Sequence, residues 1–151
     1  MTWAIFFLTT FITFLIMECV TWLTHKYVMH GFLWYLHEDH HQPGYKHIFE
    51  KNDAFFVIFA LPSILLFYYG IDPVLNYKFF IGLGILCYGI AYFFVHDILI
   101  HQRIKWFRNT KLNYFVALRK AHKVHHKHIG KAEGECFGML FVPIKYFKKY
   151  F

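Results

Sequence analysis

The chain has 151 residues, 58% hydrophobic, 23% aromatic and only 17% charged. Soluble domains carry about 25% charged residues, so this surface is not made for water, and the composition also excludes disorder. With only three cysteines, Cys19 and Cys87 inside apolar runs, no disulfide framework is legible. The expectation is one membrane-embedded, all-α domain over residues 1–151, a polytopic helical bundle. A net charge of +7 and twelve histidines are left to explain.

The first apolar run, residues 3–24, is long enough for a hydrocarbon core of about 30 Å. It lacks a basic leader region and a small-residue cleavage site, so it reads as a retained helix. A second span covers 54–70, after Asn52 and Asp53, which are good N-cap residues. A third covers 79–100, and the short link with Gly70 and Pro73 makes the last two a helical hairpin. Of the 16 Lys and Arg, 15 lie outside that link, between spans one and two or after span three. The positive-inside rule places those segments in the cytoplasm and the N-terminus outside. After the third span the chain turns basic and polar, with a helical segment over 111–129 lying on the cytoplasmic face. A fourth, shallow insertion by 137–147 stays open, whereas Pro143 and the short length oppose a full span. The positive charge suits anionic lipid or an acidic protein. Nucleic acid is excluded as a partner, because the charges flank membrane segments.

Ten histidines fall into four clusters: His25 and His30, then His37, His40 and His41, then His96 and His101, then His122, His125 and His126. The pattern is HxxxxH, HxxHH, and the same pair again, with every cluster on the cytoplasmic side of the expected topology. On a helix, positions i, i+3 and i+4 share one face, so His122, His125 and His126 point one way. An i, i+5 pair instead turns about 140° and rises about 7.5 Å. Either the helix distorts at His25 and His30, or the two serve different metals. Ten imidazoles exceed the four ligands of one tetrahedral site, whereas two metals with about five nitrogens each use them all. His47 and His128 stand outside the pattern as bystanders.

Imidazole suits zinc, copper, iron and nickel, so ligand type leaves the metal open. His37-Glu38-Asp39-His40-His41 formally matches the zinc-peptidase HExxH, but leaves seven clustered histidines without a role. A ferritin-like bundle needs Glu-x-x-His together with further inward glutamates, a pattern that is absent, and haem needs only one or two histidines. A transporter gathers its ligands near mid-membrane, not at one face. Asp97, Glu38 and Asp39 adjoin candidate ligands and are candidates to accept imidazole N–H bonds, with plain solvation the competing role. Glu18, seven residues before His25, shares its helix face about 10 Å away and should face the bundle interior, supporting the candidate ligands from behind or lining a cavity in preference to a purely structural pairing. Phe32, Trp34 and Tyr35 are either lining for a ring pocket or ordinary interfacial aromatics.

The whole pattern resembles the fatty acid hydroxylase superfamily, and within it the bacterial β-carotene hydroxylases. The resemblance runs through His25 to Gly31, His37 to Pro43, Asn52-Asp53, His96-Asp97 to Arg103, Ala121 to His126, and the tail from Gly130 to Gly138. It implies a non-haem di-iron monooxygenase, with two Fe ions held by the ten clustered histidines and zinc a possible substitute after purification. It implies O₂ as co-substrate and electrons from reduced ferredoxin and its reductase. The expected reaction is 3-hydroxylation of the β-ionone ring, from β-carotene to β-cryptoxanthin to zeaxanthin, on a carotenoid drawn from the bilayer. A sibling lipid hydroxylase or desaturase acting on a fatty acyl or sterol chain is the alternative. The basic stretch 103–131 offers a docking surface for an acidic ferredoxin; lipid contact accounts for its charge equally well.

Overall fold

The computed structural model describes residues 2–42, 49–71 and 73–147, and every regular element among them is helical. Five α-helices follow in order: α1 Trp3–Leu23, α2 Trp34–His41, α3 Ala54–Ile71, α4 Tyr77–Phe93 and α5 Asn113–His125. Two of them widen at their ends. From α1 the chain continues as a π-helix over Thr24–Phe32, and from α4 as another over Phe94–Ile100. Three helical stretches, Trp3–Phe32, Lys51–Ile71 and Tyr77–Ile100, are long and apolar enough to cross a membrane. With large apolar side chains such as Phe7, Phe11, Ile64 and Tyr68 exposed along them, the chain is an integral membrane protein.

The first span therefore runs past the expected 3–24 to Phe32, whereas the third ends at Ile100 as expected and starts two residues earlier, at Tyr77; histidine clusters sit on the widened final turns of both. The 111–129 segment is helical only over Asn113–His125. Leu112 is extended at its start, and past His126 the chain leaves the helix and turns the His128 carbonyl toward His41. Asn76 caps α4 by accepting the Lys78 amide at 3.0 Å. Asn52 and Asp53 do not divide the work as N-caps in the expected way. Glu50 and Asp53 form a reciprocal capping box, and Asn52 turns inward to a histidine.

Helix α4 lies between α1 and α3. It runs parallel to α1, with Phe80 stacked on Phe6 at 4.1 Å, Thr10 bonded to the Phe80 carbonyl, and Tyr88 beside Thr21. It runs antiparallel to α3, where the Ser63 hydroxyl donates to the Gly82 carbonyl at 2.8 Å. Gly84 lets α1 and α4 close up: a Cβ there would stand 2.6 Å from the Thr13 Cβ. Small residues at a membrane helix interface permit such backbone approach. Because α1 and α4 are parallel, their two π-helical ends meet at one end of the bundle, and there α2 and α5 pack. The buried apolar core lies at that same end, with Leu99, Val95, Leu118 and Met139 in one cluster and Ala117, Ala121 and Tyr146 in another.

Candidate metal centre

A π-helix bonds each amide to the carbonyl five residues back. In the first widened turn the Leu33 amide donates to the Val28 carbonyl at 3.0 Å; in the second, the His101 amide donates to the His96 carbonyl at 2.8 Å. A spacing of five thus becomes one turn, and the HxxxxH pairs share a face. The ring centres of His25 and His30 are 5.2 Å apart, those of His96 and His101 4.5 Å. Of the two readings of this spacing, helix distortion is the one observed.

The ten clustered histidines converge on two adjoining groups. The first holds His25, His30, His37, His41 and His125, all buried, with ring nitrogens within 4.8 Å of one another. The second holds His40, His101, His122 and His126 on the same criterion, and His96 joins it with its Nε2 3.0 Å from His40 Nε2. The rings of His41 and His126 stack at 4.4 Å across the boundary. Each HxxHH motif gives its outer pair to one group and its middle histidine to the other. Helix α2 sends His37 and His41 to the first and His40 to the second; α5 sends His122 and His126 to the second and His125 to the first.

Hydrogen bonds assign the protons. Seven of the ten present Nδ1 to an oxygen: His25 to Phe137 O at 3.0 Å, His30 to Lys131 O at 3.2 Å, His37 to Asn52 Oδ1 at 2.7 Å, His40 to Glu50 Oε2 at 2.7 Å, His41 to His128 O at 3.0 Å, His96 to Asp97 Oδ2 at 3.2 Å and His125 to Glu135 O at 2.8 Å. Each oxygen accepts, so Nδ1 carries the proton and Nε2 is left with its lone pair. These lone pairs then face one another. The Nε2 to Nε2 distances are 3.1 Å for His25 and His37, 3.2 Å for His41 and His37, 3.2 Å for His30 and His125, and 3.0 Å for His96 and His40. No proton is available to join them. Two nitrogens bound at about 2.1 Å and at right angles to one cation stand ~3 Å apart, so the donor set fits a divalent metal in each group.

Burial opposes the alternative of protonated rings at seven of the ten. It holds His37 and His126 down at about 2, His125 at about 3 and His41 at about 4, with repulsion from neighbouring imidazoles adding to it. His40, His101 and His122 are pushed well below the usual histidine range for the same two reasons.

The other candidates are distributed as follows. Asp97 accepts from His96 with one oxygen and from Arg103 Nε with the other, at 3.1 Å. Asp39 is buried and accepts the Lys51 amide at 2.8 Å, and Glu38 is exposed. Glu18 lies buried with four partners, none of them a histidine: the amides of Met139, Leu140 and Phe141 donate to its Oε1 at 2.9, 2.9 and 3.0 Å, and the Tyr88 hydroxyl to its Oε2 at 2.6 Å. It anchors the strand of chain whose Phe137 carbonyl holds His25. Gly138 leaves room for this, since a Cβ there would stand 3.1 Å from Glu18 Oε1. Trp34 packs against His30 and His41, while Phe32 and Tyr35 are exposed. Phe137 closes the first group against His25, His30 and His125. The His128 ring belongs to neither group, and His47 lies outside the described residues. An open cavity of about 530 Å³ reaches the second group, lined by His40, His101, His122 and His126 with Lys123 and Lys127 at its rim.

Sequence reasoning missed Glu50, Asn52 and Arg103 as partners of the imidazoles. It also missed the carbonyls of residues 128, 131, 135 and 137, whose side chains carry no signal for this use. Arg103 is no simple docking cation, because its guanidinium also reaches Glu50 Oε2 at 2.8 Å and Asp53 Oδ1 at 2.9 Å.

The chain matches the fatty acid hydroxylase family over residues 10–147. It is similar to the β-carotene hydroxylase of Pantoea ananas, 42% identical over 136 residues that cover 90% of this chain and 77% of that one. It is also similar to those of Paracoccus sp. strain PC1, 38% identical over 140 residues (91% and 84%), and Pseudescherichia vulneris, 40% identical over 125 residues (83% and 70%). No solved structure shows a significant match. With the match running through nearly all of both histidine groups' elements, the chain belongs to the fatty acid hydroxylase family and is a relative of its β-carotene hydroxylases.

Proposed function

We propose that the protein is a β-carotene 3-hydroxylase, one membrane-embedded domain that holds two iron ions between its histidine groups. The observation that carries the metal reading is the set of Nε2 pairs 3.0–3.2 Å apart whose protons are committed elsewhere. His25, His30, His37, His41 and His125 would hold one ion, and His40, His96, His101, His122 and His126 the other. The substrate comes from the relatives, named as β-carotene hydroxylases at 36–42% identity. Bound as a pair, the irons supply reductive activation of O₂, so that with two electrons and two protons one oxygen atom enters C3 of the β-ionone ring and the other leaves as water.

The protein's own residues do the rest. Asn52, Glu50, Asp97 and four backbone carbonyls fix the tautomers of seven imidazoles, and burial favours the neutral, cation-binding form at rings such as His37, His41, His125 and His126. Trp34 and Phe137 pack over the first group and keep water from it. The apolar spans let a bilayer-borne ring reach the metal layer at their ends. Electrons from a reduced ferredoxin, itself served by its reductase, would arrive on the polar side, where Lys123 and Lys127 rim the cavity to the second group. The charge distribution supports a cytoplasmic position for that side in a bacterial inner membrane.

Expression in cells that accumulate β-carotene, followed by pigment analysis, tests this reading. Hydroxylated carotenoids, β-cryptoxanthin then zeaxanthin, are expected. If none form while the purified protein carries two metal ions, the substrate assignment falls and an acyl or sterol chain takes its place.

A further inference from the structure

The two histidine groups differ in what stands behind them. All five rings of the first group give their Nδ1 protons to neutral oxygens, four backbone carbonyls and the Asn52 amide. In the second group His40 and His96 give theirs to carboxylates, Glu50 and Asp97. A carboxylate behind an imidazole makes it a more basic ligand than a carbonyl does. Both carboxylates are then joined to one guanidinium: Arg103 reaches Glu50 through Nη2 and Asp97 through Nε. Its third nitrogen is taken by Asp53 at 2.9 Å, and its own amide donates to the Asp97 carbonyl at 2.9 Å. Gln102, at φ 55, turns the chain sharply between His101 and this clamp. A planar fork with fixed donors can hold three carboxylates at once, which an ammonium on a flexible stem cannot.

We propose that Arg103 is a positioning residue for the second metal site alone: by holding Glu50 and Asp97 it sets the orientation and basicity of His40 and His96. The two metals are thereby made unequal. The inference rests on the dimetal reading above, and the test separates the two.

The full chain in detergent is loaded with Co(II), and its release to a chelator is followed by the visible spectrum of the bound ion. Wild type is expected to release two equivalents in two phases. R103Q is expected to speed one phase by roughly 10–100-fold and leave the other within about twofold, with R103K restoring only part of the loss. H122A, which removes a nitrogen from the second group, identifies the phase that should move. E50Q covers the case in which R103Q does not fold. It keeps an acceptor for His40 and removes the charge, and the same single phase should quicken with a shifted spectrum. Two phases quickening together in E50Q, or neither, overturns the role of Arg103. A wild-type chain that binds no cobalt overturns the dimetal reading instead.

Discussion

His37 keeps its proton on Nδ1 because Asn52 offers an oxygen 2.7 Å away, and similar oxygens stand behind six other rings. N52A takes that acceptor away and leaves the ring free to choose either tautomer. Metal affinity of the first group should fall roughly 10–100-fold, read by competition with a chelator. Acid should act on the same atoms. His41 ordinarily titrates near 6.5 and is held here at about 4. Between those values the unfolded chain binds a proton that the folded chain refuses, so stability is present above 6.5 and is lost as the pH falls through 4. His37 and His126, held at about 2, extend the loss further down. Melting of the metal-free protein in detergent should accordingly fall steadily from pH 7 to pH 4. The rings that converge were legible in the sequence, as was their surplus. The acceptors were not, because four are main-chain carbonyls that any residue could present.

Among the elements, the two π-helical ends explain a spacing that an α-helix cannot use. The sequence offered distortion as one of two outcomes and had no means to choose, since the widening is set by packing at the end of the bundle. The three long apolar helices followed from apolar runs; the end of the first, which continues as a π-helix to Phe32, did not. Nor did the far end of α5, because it stops where the His128 carbonyl must turn to His41. The segment 137–141 is irregular, and its hold on the protein comes from Glu18. E18A leaves three amides without their acceptor, each worth about 1–3 kcal/mol when buried. Lower melting temperature and loss of metal from the first group are expected together, since His25 loses the Phe137 carbonyl. G138A crowds the same carboxylate and should shift melting in the same direction by a smaller amount.

At the scale of the molecule, α1 and α4 already pack along their length through Phe6, Phe80, Thr21 and Tyr88, and the histidine layer brings α2 and α5 onto their widened ends. Metal bound by both groups, as proposed, would tie those four elements together. A ligand at about 1,000 times its dissociation constant stabilises the folded state by ~4 kcal/mol. Stripping the metal with a chelator should lower the melting temperature, and restoring it should raise the temperature again in proportion to the logarithm of free metal. The all-helical membrane architecture was readable from composition, and the gathering of four histidine clusters at one end of the bundle from charge. Arg103 was not readable as a clamp, because its partners Glu50 and Asp53 lie about fifty residues earlier and meet it only when α3 and α4 fold back together.

The crossing of the middle histidines has a consequence for how the protein is made. The first group lacks a nitrogen until His125 is synthesised, and the second until His126, the very next residue. The ribosome has then finished all three spans, so neither site exists in a complete form while the early helices enter the bilayer. A nascent chain presents only partial sets to whatever cations are at hand. Both histidine sets become complete within one peptide bond of each other, so under the proposed function the choice of metal would be postponed to a protein already in its membrane.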